Sequence, residues 1–298
     1  PPKVLQPTAP MQVHTPPAVP DEGLVRAIGL GSAILIVIGS VVGSGIFLTT
    51  GVMAAAIPSA SLLLLAWVLG GILSIAGGLT YAEMGAMFPR SGGVYVFLRE
   101  AYGALPAFLY GWASLLVVIS GSIAAVAVGF AEYLSYFVPA LSTSNLVAVL
   151  PVPWGTLTIS AGQLVAAASI AVLGAINYVG VRSGNMVNVL MTAAKVAGLS
   201  AIPIMAALVG GVQPTYTPVV TAGIERPLAA FGVAMIAVLW TYESWYYVTY
   251  AAGEISDPQR NVPRALLIGV LALMAIYVVV NLAYLHAMTI PEMAGVTR

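Results

Sequence analysis

The stretch IGSVVGSGIF, residues 38–47, lies in the middle of an apolar run from Ile28 to Ile57. Gly39, Gly43 and Gly45, with Ser40 and Ser44, interrupt a segment that is otherwise long enough and apolar enough to cross a bilayer. Glycine in a helix interior costs up to about 1 kcal/mol relative to alanine, so a cluster of them needs a reason. Two physical reasons are available. Small residues let neighbouring helices approach closely. Alternatively the helix unwinds in mid-membrane and presents bare N–H groups, and the N-terminus of the second half-helix holds an anionic group.

The rest of the chain agrees with a lipid solvent. Of 298 residues, 60% are hydrophobic and only 7% charged, against about 25% charged in a soluble domain. Mean hydropathy is +1.00. The net charge of zero gives nucleic-acid binding no electrostatic support. There is no cysteine, so disulfides and thiolate metal sites are excluded, and His14 and His286 are too few and too far apart for a metal cluster.

A helix needs about 20 apolar residues to cross roughly 30 Å of hydrocarbon. Seven stretches qualify: Ile28–Ile57, Ser61–Phe88, Pro106–Phe137, Ser160–Val181, Val187–Val212, Leu228–Ala252 and Ala265–Met288. They are longer and less interrupted than the alternating segments of a transmembrane barrel, so the expected fold is an all-α integral membrane bundle. Lys3, Arg26, Arg90, Arg99, Arg182, Arg260 and Arg264 fall on one side, and Arg226 and Arg298 on the other. This bias places the N-terminus in the cytoplasm. A seven-helix receptor has the opposite orientation, and a retinal-type lysine would sit in the last span rather than the fifth.

Residues 1–25, beginning PPKVLQPTAPMQVHTPP, are Pro-rich and lack an apolar run, so they read as a disordered cytoplasmic tail rather than a signal peptide. Residues 26–298 form the transmembrane domain. The absence of an initiator methionine, and a C-terminus just beyond the last span, lead us to expect that the chain is part of a longer protein.

GSVVGSGIF resembles the first-helix signature of the amino acid–polyamine–organocation superfamily. TYAEMGAMFPRSGGVYVFLREAYGALPAFLYGW, residues 80–112, is similar to that family's second-to-third helix stretch, and AAGEISDPQRNVPRA, residues 251–265, to its sixth-to-seventh connection. Among its members, L-type amino acid transporters and their bacterial relatives are most similar. The resemblance implies two inverted five-helix repeats and two trailing helices, with discontinuous first and sixth spans. It also implies secondary active transport or exchange of amino acids by alternating access at the plasma membrane. This chain would end two helices into the second repeat and should not transport alone. Heteromeric eukaryotic relatives are disulfide-linked to a partner, which a chain without cysteine cannot be, so a bacterial-type transporter is expected.

By the same resemblance, Gly43, Ser44 and Gly45, flanked by Val41 and Ile46, bind the substrate carboxylate. The sixth-span stretch AVLWTYESWYYVTYAAGE, residues 237–254, holds the substrate amino group on unwound carbonyls. Trp240, Tyr242 and Trp245 match the family pattern there, but Glu243 and Ser244 replace its glycines. Trp240 would be an aromatic gate, although an aromatic belt anchor is the plainer reading. A mid-bilayer Glu243 must be paired, watered or protonated. It is a neutral bundle acid, a partner for a cationic side chain or polyamine, or a proton carrier.

Lys195, in TAAKVAGL, is either a snorkelling lysine or, by resemblance, the ammonium that takes the place of sodium and links the fifth helix to the first. Its charge makes sodium binding unfavourable and sodium-independent transport the expectation. Ser120 and Ser122 could line the site, although such serines more often bond back to their own helix. The segment Ser91–Gly103 reads as a short interfacial helix with Tyr95 and Phe97 toward lipid. Pro258 and Pro263 are expected to break helices.

Other classes fit less well. No filter motif supports a channel. No mid-span histidine, cysteine or GxSxG motif supports an enzyme, and no cofactor or metal is expected. A structural membrane subunit fits the composition but leaves Lys195 and Glu243 without a purpose.

Overall fold

The computed structural model describes residues 24–153, 155–209, 211–217 and 226–296. Most of the proline-rich tail, with Lys3 and His14, therefore lies outside the described residues, as do Arg298 and the side chain of Arg182.

The first span is two helices, α1 (Leu30–Val41) and α2 (Gly45–Ala56), bent by 42° at their junction. The second is α3 (Ala60–Met87), whose N-terminus is capped by the Ser59 hydroxyl. A short helix, α4 (Val94–Tyr102), leads into the third span, in which α5 (Ala104–Ala113) and α6 (Ile119–Phe137) join through a π-helical turn. The fourth and fifth are α7 (Ala161–Val179) and α8 (Val181–Val209). The sixth is α9 (Pro227–Tyr242) followed by a 3-10 helix, Trp245–Glu254. The seventh is α10 (Pro258–Ala287), with the single-turn α11 (Ile290–Ala294) beyond it. Among the described residues six helical segments are long and apolar enough to cross a membrane, and the bent α1–α2 pair makes a seventh. The chain is a multi-pass membrane protein.

One element departs from an all-helical reading. Between α6 and α7, β1 (Leu146–Val152) and β2 (Gly155–Ser160) form an antiparallel hairpin. The β-branched residues of NLVAVLPVPWGTLTI and its Pro- and Gly-containing turn suit such a pair. The Ser160 side chain and Gln163 then close a capping box that starts α7.

The buried core is built mainly from α1, α2, α3, α9 and α10, with Leu199 of α8, Val248 and Ala252 of the 3-10 helix and Met293 of α11. Helix α10 lies against α3, α1 and α8, while α2 lies against α9 and α11. Trp67, Tyr242 and Tyr277 meet at the centre with ring centroids 5.9, 5.3 and 5.1 Å apart. Helices α3 and α9 touch because residue 70 has no side chain: a Cβ there would fall 2.3 Å from Val238 Cγ1. Ile28, just before α1, makes a parallel bridge to Ile255, and its N–H donates to the Glu254 carbonyl at 3.0 Å. In contrast, α6, α7 and α8 turn large apolar side chains outward, as lipid-facing helices do.

Two local expectations are corrected. Phe97 is buried against Tyr81, with centroids 5.8 Å apart, rather than directed to lipid. Pro263 lies inside α10, near its start, and ends no helix; Pro258 opens that helix, where a missing N–H costs nothing.

Candidate functional site

Helix α1 stops because Val42 turns to an extended conformation, although its N–H still reaches the Ile38 carbonyl at 2.9 Å. Helix α2 restarts at Gly45, and the Ser44 carbonyl accepts from Phe47 and Leu48 at 3.1 and 3.3 Å. The N–H groups of Gly43, Ser44, Gly45 and Ile46 have no backbone acceptor among the described residues. They form the positive end of a half-helix placed inside an apolar span.

The carbonyls on the other side of the break are satisfied. Lys195 of α8 donates to Val42 at 3.0 Å and to Gly39 at 3.2 Å. Tyr277 of α10 donates to Val41 at 3.3 Å. The Ser40 hydroxyl lies 3.0 Å from the carbonyls of both Val37 and Ser244. A cation and a hydroxyl at a helix C-terminus complement its partial negative charge. The asymmetry matters: the acceptor side of the break is closed, and the donor side is open.

The sixth span breaks at the same level without a glycine. Helix α9 ends at Tyr242, Glu243 is extended, and Ser244 takes a left-handed conformation with φ 81°. That conformation costs a non-glycine residue about 1–3 kcal/mol, so surrounding bonds must hold it. The Ser244 carbonyl accepts from Tyr247 N–H at 3.0 Å and faces the Ser40 hydroxyl, which ties one break to the other. The start of α2 abuts the end of α9. The Thr49 and Thr241 hydroxyls lie 2.7 Å apart, and a Cβ on Gly45 would fall 2.9 Å from Thr241 Cγ2. The donor end of one half-helix therefore meets the acceptor end of another, which is the polarity a zwitterion requires.

The expected site residues divide by position. Gly43, Ser44 and Glu243 are exposed at the breaks, whereas Val41, Gly45 and Ile46 are buried and offer only backbone. The Tyr242 ring is buried in the aromatic core, and its hydroxyl donates to the Trp67 carbonyl at 3.1 Å. Trp240, one turn before the break, is 67% exposed. Trp245 packs edge-on against Tyr81 at 5.2 Å. The Glu243 carboxylate accepts from Ser244 Oγ at 2.5 Å and from the Tyr246 hydroxyl at 2.6 Å.

Ser120 and Ser122 are exposed on α6, which packs chiefly on α7, and bond back to the carbonyls of Leu115 and Val118. Sequence reasoning missed Thr49, Thr50, Thr241, Tyr246, Tyr277 and Asn281. The available signal was their polarity within apolar spans, where side chains bond across helices.

The family profile described as amino acid permease matches residues 28–298. The serine/threonine exchanger SteT of Bacillus subtilis (strain 168) is 33% identical over 272 residues, covering 91% of this chain and 57% of that protein. The b(0,+)-type amino acid transporter 1 of Mus musculus is 33% identical over 91% of this chain and 53% of its own length. The large neutral amino acids transporter small subunit 2 of Homo sapiens is 30% identical, over 91% and 49% respectively. The chain thus spans about half the length of the curated relatives it matches.

Proposed function

The chain belongs to the amino acid permease family, and on that premise we propose that its protein exchanges amino acids across the plasma membrane, with the N-terminus cytoplasmic. One observation carries this reading: the free N–H groups of residues 43–46 stand against the carbonyl end of α9. An α-carboxylate satisfies the first and an α-ammonium the second. The core elements α1, α2, α3, α9 and α10, moving against the remaining helices, would alternate access to that point. No metal, cofactor or disulfide-linked subunit enters the proposal.

Lys195 supports sodium independence. Its ammonium already occupies the carbonyls of Gly39 and Val42, and a second cation there would meet a fixed positive charge. The test is counterflow of a panel of labelled amino acids by the full-length protein in proteoliposomes. Rates are expected to be equal in sodium and choline media, and a rate that follows the sodium gradient overturns the assignment.

A second reading concerns the substrate side chain. Among the described residues no lysine or arginine forms an ion pair with Glu243, whose carboxylate is held by two hydroxyl donors beside the break. Such a carboxylate suits a cationic side chain, or a proton. Glu243→Gln is expected to weaken arginine exchange about tenfold while leaving leucine within about twofold, the loss of one charge-assisted hydrogen bond. Equal losses for both substrates would remove Glu243 from side-chain recognition.

A further inference from the structure

Helix α10 reaches both halves of the broken first span from one of its own faces. Tyr277 donates to the Val41 carbonyl at 3.3 Å, at the end of α1. One turn later, Asn281 Oδ1 accepts from the Thr50 hydroxyl at 2.6 Å, in α2. Asn281 Nδ2 donates back to the Tyr277 carbonyl at 2.8 Å, so the two contacts share one hydrogen-bonded unit. Tyr277, Asn281 and Thr50 are 0%, 1% and 3% exposed. An amide and a hydroxyl buried this deeply are costly unless paired, and a leucine and a valine would fill the same space without that cost.

We propose that Asn281 is a positioning residue for carboxylate recognition. Acting through Thr50, it sets the direction of α2 relative to α1 and so aims the N–H groups of Gly43, Ser44, Gly45 and Ile46. This rests on the amino acid reading above and adds to it a residue that touches no substrate. The uninterrupted α10 acts as a splint. Tyr277 fixes one half-helix and Asn281 the other, about 6 Å apart along the axis. Thr49 and Thr241 hold α2 from the side of α9, and α11 packs on it at Gly51. The Thr50–Asn281 bond is the hydrogen bond that ties α2 to α10.

The test uses the full-length protein in proteoliposomes with Thr50→Val, Thr50→Ser, Asn281→Leu and the Thr50→Val/Asn281→Leu pair. Thr50→Val and Asn281→Leu are each expected to raise the KM for amino acid about tenfold, with the maximal rate within about twofold. Discrimination against the α-carboxamide analogue should fall with KM. Thr50→Ser should restore wild-type values, and the pair should cost no more than either single change. Amide exchange of residues 47–52 should quicken in the valine and leucine variants, while α3 is unchanged. Unchanged KM and selectivity in Thr50→Val, or unchanged exchange at residues 47–52, overturns the proposal. If the wild-type protein moves no amino acid but residues 47–52 still loosen, the splint stands and the substrate assignment fails.

Discussion

Lys195→Met is expected to lower amino acid exchange by about 100-fold or more while the protein still inserts in the membrane. Methionine keeps the length and apolar stem of lysine but removes its donors. The carbonyls of Gly39 and Val42 then lose their side-chain partner inside an apolar span. Each unsatisfied acceptor costs about 1–3 kcal/mol, and the lost cation at a helix C-terminus adds up to about 2 kcal/mol. The total, about 2–8 kcal/mol, has its middle above the roughly 2.8 kcal/mol that corresponds to two decades in an equilibrium constant. The strain falls on the break itself, because both carbonyls belong to its last turn. Continuing the helix through Val42 would remove it, at the expense of the open N–H groups. Lys195→Arg should recover part of the rate, since it keeps the charge but spreads it over a planar fork. Wild-type exchange by Lys195→Met would show that the ammonium is incidental and would return it to the role of a snorkelling side chain.

The two breaks differ in how plainly the sequence announces them. In the first, three glycines within seven residues, Gly39 to Gly45, mark a place where helix is locally disfavoured, and the break falls at residues 42–44. In the sixth, Glu243 and Ser244 carry no such mark, and residue propensity alone would continue the helix. The break there is met by one tertiary contact, the Ser40 hydroxyl on the Ser244 carbonyl, and by a local turn bond from the Tyr247 N–H to the same carbonyl. Lys195 on the fifth span donates to the carbonyls of Gly39 and Val42 on the first. A lysine in mid-span needs acceptors, and a broken helix exposes them. Asn281 and Thr50 were illegible for the opposite reason. Each is an ordinary polar residue able to bond back to its own helix, and only their pairing across 231 positions gives them meaning. The hairpin from Leu146 to Ser160 did have a signal in its β-branched residues and turn, overshadowed by the apolar spans on either side.

Gly45→Val is the second large expected loss, and it tests the junction of α2 with α9 directly. A Cβ on residue 45 would stand 2.9 Å from Thr241 Cγ2 and 3.0 Å from Thr241 Oγ1. Valine adds two methyl groups beyond that Cβ, and their rotation is restricted on a helix. Thr241 has little room to yield, because it is buried and its hydroxyl is engaged with Thr49 and with the Ala237 carbonyl. Helix α2 must therefore shift away from α9 by the width of a methyl group. Overpacking of this kind costs about 1–3 kcal/mol. Its effect on transport should be larger than on folding, because the shift separates the donor end of α2 from the acceptor end of α9. A substrate zwitterion can then reach one pole but not both. Exchange by Gly45→Val should fall about 100-fold or more, as a 1 Å misplacement of reacting groups can cause in catalysis. Gly45→Ala, which brings the same Cβ without the two further methyl groups, should fall between the two. The measurement is counterflow, with the melting temperature of the purified protein followed alongside. A valine variant that melts earlier and still exchanges amino acids with wild-type KM would mean that the two helix ends do not jointly hold the substrate.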